Sequence, residues 1–289
     1  RDLHSFPTRR SSDLLFYRSD ILEQVGLTAN DVQTYEQVLD AAQRIRDAGI
    51  MEYPVALNTK AGWNLGEEFV NMYLGTGSDM FKAGTAEVSI NNADGVATLN
   101  MLKQLSSYSH PDFLTFDSNT TQAMWEGGKL ALATMWGSRT AGVLDDEGST
   151  PEVVNGTNFA AAPSFNGGST PASSLWWDGF VISKNVSDAD AEASFVAMMN
   201  GISTEMVQAN NDAATWLING YKPSKAASGV AATAMNGASP YPMLPFMGAL
   251  HGAAGAELAD FLQGNESAEQ ALSDMEAAYT TAAKEKGFL

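Results

Sequence analysis

Short apolar runs alternate with capped amphipathic helices along most of this chain, and that alternation points to an α/β architecture. Thr34 and Gln37 stand at capping-box spacing, Val38, Ala41, Ala42 and Ile45 share one helical face, and Gly49 supplies a left-handed stop. Residues 53–57 read as a strand, residues 67–74 as a helix ended by Gly75, and residues 87–90 as an alternating strand. Asn91 or Asn92 then caps a helix with Val96, Leu99, Leu102 and Leu105 inward. A helix over 120–126 stops at Gly127-Gly128, and residues 130–135 make a buried strand. A Gly-, Ser- and Pro-rich stretch surrounds a short strand at 159–162, and a β-branched run at 180–183 reads as another. Ser187 with Asp190 caps a helix carrying Phe195, Met198, Met199, Ile202 and Met206. Gly264 ends a helix over 249–262, and Ser267 with Gln270 caps the last, over 268–286.

The 289 residues allow one large or two smaller domains. A formal net charge of -18 repels phosphate backbones and anionic membranes, which disfavours nucleic acid and favours a neutral or cationic small partner. No window offers the roughly 18 continuous apolar residues of a membrane-spanning helix. The lack of cysteine removes disulfides, thiolate zinc sites and cysteine nucleophiles. His4, His110 and His251 are scattered, so neither a metal nor a cofactor is expected.

Residues 5–14, Ser-Phe-Pro-Thr-Arg-Arg-Ser-Ser-Asp-Leu, are basic and unpatterned, and they resemble one reading frame of a sequencing-adapter oligonucleotide. Residues 1–14 are therefore expected to be a non-native tail, with the natural N-terminal part absent and the remainder slightly more acidic than the whole.

The most suggestive chemistry lies in Trp176-Trp177-Asp178-Gly179, at the change from irregular chain to strand. Two flat apolar faces and a carboxylate suit a sugar ring, although tryptophans also plug cores. In an extended segment Trp176 and Trp177 point oppositely, so one is expected in a cleft and the other in packing.

The order of these pieces resembles the extracellular solute-binding proteins of family 1, the sugar-capturing subunits of ABC importers. Leu15-Phe16-Tyr17-Arg18-Ser19-Asp20-Ile21-Leu22 with Val25-Gly26-Leu27 is similar to that family's Tyr-Asn-Lys-Asp-Leu and Ala-Gly-Leu, with Arg18-Ser19 in place of Asn-Lys. Residues 34–42 resemble its Thr-Trp-Asp-Glu-Leu helix start, and residues 122–135 its Ala-Phe-x-x-Gly-Lys-x-Ala-Met segment. The resemblance spans residues 15–289 and implies a type II periplasmic-binding-protein fold of two α/β lobes closing on a ligand by hinge bending. It divides the chain into most of the second lobe, residues 15–177 and 225–289, a returning strand and helix of an incomplete first lobe, residues 178–219, and a hinge at 220–224. The helix bearing Phe195 and Met199 would then lack much of the lobe it packs on, leaving an apolar patch exposed.

The resemblance also implies a site. Trp136 falls where the family places a cleft aromatic, Arg139 could fork to hydroxyls or a carboxylate, and Trp177 with Asp178 would sit at the lobe crossing beside Trp176. Trp63, with Glu67 nearby, lies on a loop edge, Trp216 and Tyr221 flank the hinge, and Trp125 is expected to be structural. The implied function is capture of a sugar or oligosaccharide and its delivery to membrane permease subunits, by a monomer when full-length. The implied location is periplasmic, or extracellular and tethered through a lipid anchor. No catalysis is expected. The alternatives are a glycoside-processing enzyme using paired carboxylates, for which Asp178 with Glu67 or Glu126 could serve, and a binding protein for a non-sugar such as a polyamine or oligopeptide.

Overall fold

The computed structural model describes residues 13–176, 180–211, 216 and 221–289. Along the chain run β1 (Asp13–Arg18), α1 (Ser19–Gln24), α2 (Tyr35–Asp47), β2 (Val55–Ala56), α3 (Trp63–Leu74), α4 (Ala93–Ser106) and α5 (Ser118–Glu126). Then follow β3 (Leu132–Trp136), α6 (Thr140–Val143), α7 (Pro151–Gly156), β4 (Thr157–Ala161) and β5 (Ser174–Leu175). The remainder is α8 (Asp188–Gly201), α9 (Thr204–Ala209), α10 (Ser228–Met235), β6 (Ser239–Pro240), α11 (Met247–Gln263) and α12 (Ala268–Glu285).

The main sheet has the order β2-β3-β1-β4, with β1 antiparallel to both neighbours and β2 parallel to β3. Its two faces bury different side chains because strand residues alternate. Leu15, Val55 and Leu132 join a core built with α2, α3, α4, α11 and α12. Leu14, Phe16, Ala56, Ala133 and Met135 face a second core with Trp125, Val143, Val153 and Val230. The result is three layers, helix on sheet on helix, as the alternating sequence predicts.

The helix ends follow the sequence closely. Thr34 and Gln37 form the reciprocal capping box of α2, Asn92 accepts from the Gly95 amide at α4, and Gly264 closes α11 with a φ of 85°. Trp125 is fully buried and its indole donates to Thr157 Oγ1 at 2.9 Å, so it is a core residue.

Three expectations need correction. Residues 87–90 form no strand: Phe81 and Val88 make a single bridge, and the Ile90 and Asn91 amides turn away to the Glu276 carboxylate at 2.9 Å each. Residues 180–183 are also not a strand; Val181 is 90% exposed, and the short strand of this region is β5, paired with β6. Finally, β1 begins at Asp13, and both Asp13 and Leu14 are buried within it, two residues inside the stretch expected to be a tail.

α8 buries none of its residues; Phe195 and Met199 remain 54% and 43% exposed. The apolar stripe of this helix is thus on the surface of the chain rather than in a core. Among the described residues no helix is long and apolar enough to cross a membrane.

Candidate functional site

The parallel strands β2 and β3 end at the same edge of the sheet, and the chain leaves β2 toward the N-terminus of α3 there. Crevices beyond the carboxyl ends of parallel strands are where α/β sheets characteristically hold ligands. Trp63 opens α3 at this edge, 46% exposed. One turn later Glu67 accepts from its indole N–H at 3.0 Å, an i, i+4 pairing that the helix geometry brings together.

α11 packs unusually close to α3 at this point, because glycines meet there. A Cβ at Gly255 would lie 2.0 Å from the Gly62 carbonyl oxygen, and one at Gly66 would lie 2.4 Å from the His251 carbonyl oxygen. The Gly62 amide donates to the Gly255 carbonyl at 2.8 Å. This approach lets the buried His251 ring lie under Trp63, with centroids 3.9 Å apart and 23° between planes. A second stack forms from Trp176 and Tyr241, at 4.3 Å and 27°. The two tryptophans are 6.5 Å apart and tilted by 51°, so the stacks are neighbouring walls rather than a single pile.

Behind the rings lies a buried polar relay. The Trp176 indole donates to Ser174 Oγ at 2.8 Å, which donates to Asn71 Oδ1 at 2.6 Å. The Asn71 amide in turn donates to the Asp13 carboxylate. Glu68 accepts from the Asn58 amide at 2.8 Å. Burial, together with the charges of Glu67 and Glu68, pushes the Asp13 carboxyl well up, against the Asn71 hydrogen bond. Burial likewise pushes Glu68 up to about 8, opposed by the Asn58 amide and reinforced by Glu67. At neutral pH this edge is consequently less anionic than its three carboxyls suggest. Among the described residues Asp13 Oδ1 and Asn58 Oδ1 are buried without a hydrogen-bond partner.

Of the residues expected in a site, Trp63 and Trp176 are brought together. Trp136 ends β3, half-buried and opposite Asp13 in register. Arg139 lies beside it, 5.8 Å from the ring centroid, but its guanidinium is committed to α5. It donates to Gln122 Oε1 at 3.0 Å and Ser118 Oγ at 2.6 Å. Burial holds the Arg139 pKa below its ordinary value. Trp216 donates to the Asn210 carbonyl at 3.1 Å, and Tyr221 is half-buried. Trp177 and Asp178 lie outside the described residues. Among the described residues no group of three or more His, Asp or Glu side chains is arranged to hold a metal ion.

Sequence reasoning missed Tyr241, His251 and the Asn71-Ser174 relay. The available signals were Tyr241 held between Pro240 and Pro242, and His251 set among Gly248, Gly252 and Gly255 in the apolar first half of its helix.

The three-layer fold carries an aromatic, polar-backed edge beyond the carboxyl ends of its parallel strands, the architecture of an α/β protein. The chain belongs to the bacterial extracellular solute-binding protein family, whose model matches residues 4–202. A mannitol-binding protein of Pseudomonas aeruginosa is 26% identical over 167 residues, which are 56% of this chain and 37% of that relative. The matched region thus spans little more than a third of the curated relative's length. Among solved structures, an ABC transporter solute-binding protein of Agrobacterium radiobacter K84 in complex with ribitol superposes with a TM-score of 0.76 at 20% identity. The match covers 96% of this chain and 71% of that one. An Agrobacterium vitis S4 solute-binding protein with bound D-mannitol gives 0.73 at 20% identity, covering 98% and 73%. Maltose-bound MalE3 of T. maritima gives 0.71 at 18%, covering 96% and 72%. These likenesses establish the fold.

Proposed function

We propose that this chain is the carbohydrate-binding part of an ABC importer, capturing a sugar or polyol and presenting it to membrane permease subunits. The observation that carries this reading is the pair of stacked aromatic walls at Trp63 and Trp176, with Glu67 against the Trp63 indole. Aromatic faces take the C–H faces of a sugar, and the carboxylate and amide groups orient its hydroxyls. Binding and lobe closure would be the whole mechanism, with no bond made or broken in the chain. Residues 15–177 and 225–289 would form one lobe and residues 178–219 part of the facing lobe, about a hinge at 220–224. Trp136, Trp177 and Asp178 would complete the ligand contacts, and Trp216 and Tyr221 would flank the moving segment. The site would operate outside the cytoplasm, in the periplasm or tethered at the cell surface.

The ligands of the similar solved structures, ribitol, D-mannitol and maltose, favour a polyol or small saccharide. A polyamine is less well served, because burial pushes Glu68 up to about 8 and raises the Asp13 carboxyl in the same direction. Titration calorimetry against D-mannitol, ribitol, maltose and spermidine tests the reading. Micromolar binding, about -8 kcal/mol, to a polyol or sugar is expected; spermidine binding alone, or turnover of a glycoside, would overturn it.

A further inference from the structure

Two hydrogen bonds on one imidazole tie the two aromatic walls together. His251 Nε2 lies 2.8 Å from the Trp63 carbonyl oxygen, and Nδ1 lies 3.1 Å from the Tyr241 hydroxyl. A carbonyl oxygen only accepts, so Nε2 carries the proton; Nδ1 of the neutral ring then accepts from Tyr241. Trp63 rests on this imidazole and Trp176 rests on Tyr241. The two ring pairs are thus joined through one side chain that is itself almost wholly buried.

We infer that His251 is a positioning residue: as the Nε2–H tautomer it bridges the Trp63 backbone and the Tyr241 hydroxyl and fixes the angle between the two ring walls. The assignment of those walls to ligand capture rests on the function proposed above. A protonated imidazole would place a charge on a buried ring and turn the Tyr241 hydroxyl from donor to acceptor, so acid would rearrange the bridge. Burial already lowers the His251 pKa, opposed by the hydrogen bond to Trp63. The titratable groups set around these rings are Tyr241, pushed up to about 12 by burial and the Glu67 charge, and Glu67 itself on α3, with Glu68 and Asp13 behind it. Glu257 and Asp260 lie further along α11.

The chain has three histidines, so long-range proton–nitrogen NMR can assign each tautomer. His251 is expected as Nε2–H, neutral to below the ordinary imidazole pKa of about 6.5. Tryptophan fluorescence should show an acid quenching step that both W63F and H251F abolish. D-Mannitol, as the calorimetric probe, should bind H251F at least tenfold more weakly, with partial recovery in H251Q, whose amide can still reach the Trp63 carbonyl. An Nδ1–H tautomer, an acid step that survives in H251F, or unchanged D-mannitol affinity in that variant overturns the assignment. Should H251F fail to fold, Y241F removes the Nδ1 partner alone, and an unaltered acid step there is equally decisive against it. If the parent chain binds none of the four calorimetric probes, the reading of the cleft falls, while the tautomer and the acid step still decide the bridge.

Discussion

The Trp63 indole lies on the His251 imidazole with ring centroids 3.9 Å apart and 23° between their planes, at the edge of the sheet. A tryptophan supported from behind keeps its orientation without a ligand, so little ordering cost remains at binding. Trp63→Ala should weaken sugar or polyol binding by about 2 kcal/mol, roughly thirtyfold. Calorimetry on the folded variant checks this, and wild-type affinity would remove Trp63 from the site.

The buried carboxyls make stability fall with rising pH. Glu68 binds its proton more tightly in the folded chain, with a pKa of about 8 against the ordinary 4.5, and Asp13 is shifted in the same direction. Their contribution is fully present below the unfolded value and is lost as pH rises through the folded one. Glu68→Gln should therefore stabilise the chain by roughly 1–3 kcal/mol at pH 8 relative to the parent, with little difference at pH 4. Urea unfolding at the two pH values measures it, and equal pH slopes in parent and variant would contradict a protonated Glu68.

His251 works in the opposite sense. Its folded pKa is depressed, so its contribution is present above the unfolded value and declines as pH falls through the folded one. His251→Gln should flatten the acid limb below about pH 6.5 while leaving the alkaline limb to Glu68. Melting temperatures across that range separate the two limbs.

Gly255 has no room for a methyl group, since backbone rather than a movable side chain stands in the way. Gly255→Ala should cost on the order of 2–4 kcal/mol by forcing α11 off α3. It should also expose Trp63 further, seen as a red shift of emission. Gly248→Ala, at a position open to space, is the matched control and should fall within about 0.5 kcal/mol of the parent.

The exposed face of α8 predicts self-association. Phe195 and Met199 present bare apolar surface. Phe195→Glu with Met199→Glu should reduce light scattering and binding of an apolar dye, with melting temperature unchanged. A loss of melting temperature would mean that the stripe packs against something in the folded chain.

Helix ends were readable because capping is local: Thr34, Asn92, Ser187 and Ser267 each act within one turn of chain. The central strand was legible only through the family resemblance from Leu15 onward, and its first residues, Asp13 and Leu14, were assigned to the tail. Residues 180–183 carry the β-branched Val181 and Ile182, yet a strand also needs a partner, and composition does not supply one. Trp63 and Trp176 were singled out by their size, and the fold brings their ring centroids to 6.5 Å. His251, Tyr241 and Asn71 were not, since their roles come from contacts between α3, α11 and the β5 region that no spacing along the sequence encodes. Arg139 was singled out by its charge alone, which does not reveal that its guanidinium donates to Ser118 and Gln122.

β1 has a further consequence, for the order in which the molecule can assemble. It is the first described element, yet it occupies the interior of the sheet, with Leu15 opposite Thr134 on one side and Ala160 on the other. During synthesis this apolar segment emerges before either partner exists, and its pairings carry a large loop-closure cost. β3 is complete only when residue 136 has left the ribosome and β4 only when residue 161 has, so until then Leu14, Leu15 and Phe16 lack one or both flanking strands, and a nascent chain should depend on a holding chaperone over that interval.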